Sequence, residues 1–332
     1  MKLNSTILIT GAGGEMGFAL INYLSKNKKS KIITLDLQPI KNSISENIEE
    51  QFVGSVLDDK LLNDIHNQYH VLTIYHLAAL LSSQASKSPE KAHDVNVNGM
   101  LKLIDFSQKQ YEKHNQQIQF FFPSSIAVYG FPKQKKLKKN KCIMENQFLF
   151  PVTMYGANKL YCEFLGNYYN GKKIDFRAIR FPGIISAHTL PTGGTTDYFP
   201  EMIHAAAQNK KYTCEVNSKS KLPFMTMPDA ILAINLLMKA KNSNLTQRVY
   251  NVRAFAPTVN DFILKIKSSY KDFDVNYKLN ESKQGRVDSW PEDVDDMKAQ
   301  NDWQWKPQHN LDRAFSDYLI KIISKKYLNT FK

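Results

Sequence analysis

Residues 11–17, Gly11-Ala12-Gly13-Gly14-Glu15-Met16-Gly17, constrain the fold more tightly than any other stretch of the chain. They follow an apolar run at 6–10 and open a segment, 16–24, with helical spacing. Strand, glycine turn and helix in that order bring backbone N–H groups and a helix N-terminus up to a phosphate. Gly11, Gly14 and Gly17 are the glycines that allow the tight turn and the close approach. Asp36 ends the second β run, nineteen residues beyond Gly17. A carboxylate there accepts hydrogen bonds from the adenosine ribose hydroxyls and repels the extra phosphate of NADP. Turn and carboxylate together predict a dinucleotide site that takes NAD.

The pattern continues as alternating segments. β runs fall at 31–35, 51–53, 71–76, 119–123 and 175–180, and a helix rich in aromatics covers 155–169. Alternation of this kind predicts an α/β fold of the Rossmann type: a doubly wound parallel sheet with helices on both faces and right-handed crossovers. After Phe181 the rhythm changes. Residues 191–197 read as a Gly- and Thr-rich loop, 229–240 as a helix, and 248–252 as a short strand able to rejoin the sheet. The expected division is a dinucleotide-binding domain over 1–180, with 225–255 returning to it. A smaller C-terminal substrate-binding lobe takes 181–224 and 256–325.

Tyr155-Gly156-Ala157-Asn158-Lys159 places a phenol and an ammonium four residues apart, on one face of the helix. A phenol titrates near pH 10 in water, and a neighbouring cation favours its ionised form. Tyr155 is thereby the candidate general base, with Lys159 and the positive nicotinamide of the cofactor biasing it. The pair follows the fifth strand, which ends in Ser124-Ser125, and parallel sheets bind ligands at the carboxyl ends of their strands. Ser125 is placed to hydrogen-bond a substrate hydroxyl and the Tyr155 oxygen.

Bulk properties exclude several classes. The net charge of +13 makes nucleic acid or an acidic membrane surface worth weighing. The excess is scattered, and the basic run 133–141 has no interleaved aromatic residues, so neither partner is expected. Three distant cysteines, Cys142, Cys162 and Cys214, form no metal spacing and no disulfide framework, which fits a reducing cytoplasm. No metal is expected, and His76, His93 and His204 read as structural. The N-terminus shows no signal peptide, and no apolar run approaches the ~20 residues of a membrane span.

GAGGEMG, Asp36, HLAAL, SSIAVYG, YGANK and Val249-Tyr250-Asn251-Val252 together resemble the extended short-chain dehydrogenase/reductases, which include nucleotide-sugar epimerases. Four later segments are similar to the short-chain L-threonine 3-dehydrogenases within that group. They are Arg180–Ser186, Pro191–Tyr198, Leu222–Asp229 and Asp288–Pro291, with Asp302–Pro307 matching that family's ending. Nucleotide-sugar enzymes usually carry an arginine near position 224, and this chain has none there.

The resemblance implies oxidation of L-threonine at its β-carbon to 2-amino-3-oxobutyrate by a homodimer. An NAD-dependent nucleotide-sugar epimerase or dehydratase is the alternative. A non-enzymatic NAD-binding regulator is disfavoured by the intact Ser/Tyr/Lys set. In that reading Lys159 also holds the nicotinamide ribose. Cofactor contacts are implied at Gly11, Gly14, Glu15, Met16, Gly17, Asp36, Val56, Leu77, Ala78, Ala79, Asn96, Tyr155, Lys159, Phe181 and Ile184. Substrate contacts are implied at Ser82, Ser125, Tyr155, Thr196, Asp197 and Trp290. The chain departs from its relatives at Gln84-Ala85, where Gly-Glu is usual, at Thr192 in the Gly-rich loop, at Val128-Tyr129 and at Ser55.

Overall fold

A computed structural model describes residues 5–26, 30–40, 44–131, 142–190 and 194–328. The basic run 133–141 and Thr192 lie outside the described residues.

The strands are β1 (Thr6–Thr10), β2 (Lys31–Asp36), β3 (Glu50–Val53), β4 (Val71–His76), β5 (Ile118–Ser125) and β6 (Ile174–Phe181), then the short β7 (Gly183–Ile185), β8 (Tyr212–Cys214), β9 (Phe224–Thr226), β10 (Val249–Asn251) and β11 (Val275–Tyr277). Seven of them form one parallel sheet in the order β10-β6-β5-β4-β1-β2-β3. The expected return of the 248–252 segment is observed: β10 extends the sheet beyond β6.

Side chains alternate between the two faces of a strand. Leu8 and Phe120 accordingly join one apolar layer, with Leu103 and Ile104 of the helix Gly99–His114. Their neighbours Ile9 and Phe121 join the other, with Leu20 and Ile21 of the helix Glu15–Leu24 and Ile234 and Leu237 of the helix Met227–Lys239. All eight residues of β6 are buried, as a strand covered on both faces requires. Arg177 on β6 ties the helix Met227–Lys239 to the sheet by donating to the carbonyls of Leu237 and Ala240, groups left open at a helix C-terminus.

A third apolar cluster draws on the turn after β5 and on the chain beyond Ile185. Its centre is a stack in which the Phe199 ring lies 4.2 Å from Phe224 and 4.0 Å from Phe262. The parallel pairs β7–β9 and β8–β11 belong to this half of the molecule. Strand order reverses at β1, which has β4 on one side and β2 on the other. The crevice beyond the carboxyl ends of β1 and β4 is where such sheets take a ligand.

Among the described residues no helix is long and apolar enough to cross a membrane, and no three His, Cys, Asp or Glu side chains gather as a metal site.

Candidate active site

The glycine turn is held by backbone contacts. Gly11 adopts φ +67°, and a Cβ there would lie 2.5 Å from the Ala78 nitrogen. A Cβ at Gly17 would lie 2.4 Å from the Ala12 carbonyl oxygen. Both positions therefore exclude any side chain. Gly14 is the N-cap of the helix Glu15–Leu24 and offers no side-chain cap, so the N–H groups of the first turn remain for an anion. The residues present fit a dinucleotide phosphate.

Asp36 is fixed beside this turn. Its carboxylate accepts from the Gly13 N–H at 2.9 Å and from the Gln38 N–H at 3.2 Å. Gly13, absent from the expected set, thus aims the Asp36 carboxylate.

Other expected cofactor contacts divide into two groups. Met16, Leu77, Ala79, Phe181 and Ile184 line a cleft of about 250 Å³ at the ends of the strands. Ala78 lies above Gly11 and donates to Thr10 Oγ1 at 3.4 Å. Val56 and Asn96 stand further back. The Val56 side chain is buried against Gly99. The Asn96 amide is spent on the loop after β4: it accepts from Leu80 N–H at 2.8 Å and donates to Leu80 C=O at 3.1 Å. Glu15 points its side chain toward the other half of the cleft, where the Thr189 hydroxyl donates to it. Burial, and then the Asp197 charge, push the Glu15 carboxyl up to about 7.

The same cleft gathers every expected substrate residue: Ser82, Ser125, Tyr155, Thr196, Asp197 and Trp290, with Lys159 at its floor. Larger hollows of about 440 and 470 Å³ lie elsewhere and contain none of the expected site residues. Ser125 ends β5 and caps the turn Ile126–Val128, accepting from the Ala127 N–H at 3.2 Å. Tyr155 lies in the first turn of the helix Met154–Tyr169, whose N-cap Thr153 accepts from Gly156 N–H at 3.0 Å. The two elements converge so that Ser125 and Tyr155 both line the cleft, where the serine hydroxyl favours the ionised phenol.

One helical turn on, Lys159 donates from Nζ to the Pro123 carbonyl at 2.7 Å. It lies 4.4 Å from the Phe122 ring centre and 5.5 Å from that of Tyr155. Asp197 accepts from the Gly194 N–H at 2.6 Å on the opposite wall. Trp290 is buried, and its Nε1 has no hydrogen-bond partner among the described residues.

Two electrostatic findings bear on how Tyr155 is biased toward ionisation. Burial pushes the Tyr155 phenol up to about 12, outweighing the Ser125 hydrogen bond that lowers it. Burial also lowers Lys159 to about 8, opposed by Cys162 and Glu163. In a dry pocket desolvation is the larger effect, so Tyr155 rests protonated until further positive charge enters.

Of the departures, Gln84 is exposed and Ala85 is buried, and neither lines the cleft. Tyr129 is buried and donates to Asn251 Oδ1 at 2.8 Å. His76 is buried on Thr10 Oγ1 at 2.8 Å, and His204 on the Tyr327 hydroxyl at 3.1 Å.

The fold and this constellation define an NAD-using oxidoreductase of the extended short-chain type. The chain belongs to the NAD dependent epimerase/dehydratase family, which it matches over residues 7–252. NAD is its cofactor. It is 31% identical to a mitochondrial L-threonine 3-dehydrogenase of Bos taurus over 308 residues, which is 92% of this chain and 79% of the relative. The crystal structure of L-threonine dehydrogenase from Clostridium difficile superposes with a TM-score of 0.86 at 32% identity, covering 98% of this chain and 99% of that one. A monomeric L-threonine 3-dehydrogenase from a metagenome gives a TM-score of 0.85 at 34% identity, covering 96% and 99%.

Proposed function

We propose that this protein oxidises L-threonine at its β-carbon to L-2-amino-3-oxobutyrate. The observation that carries the reading is one small cleft with Ser125, Tyr155 and Lys159 on one wall and Thr196 and Asp197 on the other. The first wall suits a secondary alcohol. The second offers a carboxylate to an α-ammonium group. About 250 Å³ suits an amino acid beside a nicotinamide ring better than a nucleotide sugar. The segment Phe224–Thr226 is buried and brings no cation to the cleft for a diphosphate.

When bound, NAD accepts the hydride. Ser125 orients the substrate hydroxyl, and Tyr155 takes its proton. Lys159, charged below about 8, holds positive potential under the phenol and ribose. The phenol at about 12 needs positive charge in the closed cleft to act as a base at neutral pH.

The test is NADH absorbance from purified protein with NAD and L-threonine, beside L-serine, L-allo-threonine, NADP and nucleotide sugars. NADH is expected from L-threonine with NAD, and Tyr155→Phe is expected to lose about 10²–10⁴-fold in kcat. Protein that binds NAD yet reduces it with no amino acid would sink the reading and leave the epimerase or dehydratase alternative.

Threonine breakdown in a reducing cytoplasm completes the reading, consistent with cysteines 142, 162 and 214 being unbridged. Cell fractionation checks the location. We also read the active species as a homodimer. Tyr161, Phe164 and Tyr168 are exposed at helical spacing on Met154–Tyr169, a stripe a second copy would cover. Leu160 and Leu165 turn instead toward the interior clusters. Sedimentation giving a monomer mass at assay concentration would overturn the dimer.

A further inference from the structure

Beneath the Ser125/Tyr155/Lys159 set lies an ion pair that the proposed reaction does not use. Glu163 follows Lys159 by four residues on the same helix, and Arg180 stands on β6 near its carboxyl end. Both are buried, at 2% and 3% exposure. The pairing is two-pronged: Arg180 Nε donates to Glu163 Oε1 at 2.8 Å and its terminal nitrogen to Oε2 at 2.6 Å. A second Arg180 nitrogen donates to the Tyr129 hydroxyl at 2.8 Å and to the Glu145 carbonyl at 2.6 Å.

Besides the pairing of β6 with β5, which sets Arg180 opposite Ser124, a side-chain bond joins the pair to the catalytic strand. Ser124 Oγ donates to Glu163 Oε1 at 2.5 Å, and Ser124 directly precedes Ser125. The Pro123 carbonyl, one residue earlier, holds the Lys159 ammonium. Two consecutive residues of β5 thus engage Lys159 and Glu163, and the next, Ser125, lines the cleft with Tyr155.

We propose that Glu163, anchored by Arg180, is a positioning residue for this site. It fixes the end of β5 through Ser124, and its charge, one helical turn from Lys159, favours the lysine's ammonium form. Residues i and i+4 are neighbours on a helix face, and an uncompensated charge in a dry interior is costly. The other titratable groups facing Lys159 are His76 from β4, Tyr155 and Cys162 from its own helix, and Arg180 with Glu145 behind Glu163. Burial and then the Lys159 charge lower His76 to about 3, so it is neutral. Burial raises Cys162 to about 12, so it is a neutral thiol. Glu163 is therefore the anion next to Lys159, and its removal has a directional consequence.

The inference rests on Lys159 serving the proposed reaction, so its test reads the lysine directly as well as turnover. Full-length protein is labelled with ¹³C at lysine Cε, and the Lys159 resonance is identified by its loss in Lys159→Met. In the wild type it is expected to titrate near 8. In Glu163→Gln the midpoint is expected to fall by about one pH unit. The alkaline limb of kcat follows it down, and kcat at pH 7 falls about twofold as the charged fraction of Lys159 drops from about nine-tenths to about one-half.

Ser124→Ala cuts the tie to β5 but keeps the charge. It is expected to lower kcat several-fold with the Lys159 midpoint unmoved, a split that general destabilisation would not produce. Should Glu163→Gln not fold, the double variant Glu163→Gln/Arg180→Gln removes the pair as a unit; it takes the Arg180 cation, which stands behind Glu163, away with the anion, so its Lys159 midpoint is expected to fall by less than in the single variant. An unmoved midpoint in folded protein lacking Glu163 overturns the charge role, and wild-type kcat in Ser124→Ala overturns the positioning role. A midpoint that falls while the activity limb stays put supports the charge role of Glu163 and condemns the part given to Lys159 in the reaction.

Discussion

The glycine turn that we assign to the cofactor and the loop that we assign to the substrate are two walls built by different means. The cofactor wall is backbone: a glycine turn that admits no Cβ, a helix start without a side-chain cap, and a carboxylate held by two N–H groups. The substrate wall is a loop after β7 held by side chains from far along the sequence. The Tyr318 hydroxyl accepts from the Ala187 N–H at 3.0 Å, Lys326 donates to the His188 carbonyl at 3.4 Å, and Thr189 donates to Glu15. A wall made of main chain fails abruptly when its shape is altered. A wall made of side-chain ties loosens one contact at a time.

The largest effect that tests this contrast is on the cofactor wall. Gly17→Ala puts a methyl 2.4 Å from the Ala12 carbonyl oxygen and 2.7 Å from its Cα, both main-chain atoms that cannot swing aside. Overpacking of this kind costs about 1–3 kcal/mol, and the turn must open to relieve it. NAD affinity, measured by calorimetry, is expected to fall about 100-fold, which is about 2.7 kcal/mol. An unchanged affinity would show that the turn bends as readily as a loop, and the contrast would collapse.

Tyr318→Phe is the matching cut on the substrate wall. It removes only the hydroxyl, leaving the buried Ala187 N–H without its partner. An orphaned buried donor costs about 1–3 kcal/mol. The loss falls on a loop that carries Thr196 and Asp197, so KM for the amino acid should rise several-fold while NAD affinity stays put. Equal damage to both constants would mean that the two walls move as one body.

The same difference explains what was legible in the sequence. The phosphate turn is local: seven adjacent residues, each with a geometric duty, followed by a carboxylate at a fixed interval. The seven strands of the main sheet and the Tyr155 helix emerged within about two residues, because a sheet buried on both faces writes continuous apolar runs; the short β7, β8, β9 and β11 did not emerge. Ser125, Tyr155 and Lys159 were legible for the same reason, lying at a strand end and on one helical face. Glu163 had a signal that went unused, its place four residues after Lys159, but its partner Arg180 is fixed only by the pairing of β5 with β6. The Asn96 amide, expected at the cofactor, is taken by Leu80 once the β4 loop folds back. Thr189 and Tyr318 could not be read at all. Their partners are 174 and 131 residues away, and only tertiary packing decides them.

Glu15 joins the two walls, and it gives the smallest and most discriminating effect. Its backbone belongs to the phosphate helix and its carboxyl to the substrate loop. Burial and the Asp197 charge raise that carboxyl from its ordinary 4.5 to about 7, and the charged form adds to the raised state of the Tyr318 phenol. A raised carboxyl means that the folded protein holds a proton the unfolded chain has released. Its stabilisation is full below 4.5 and is lost as pH rises through about 7. Glu15→Gln keeps an acceptor for Thr189 and removes the titration. Melting curves should therefore lose their decline between pH 4.5 and about 7, leaving the variant a few degrees more stable at pH 8. The same change takes a negative charge from beside the phosphate site, so NAD should bind about two- to threefold tighter at pH 8 and no tighter at pH 5. A gain in affinity that is equal at both pH values would place the cause in packing rather than charge, and would leave the two walls joined by shape alone.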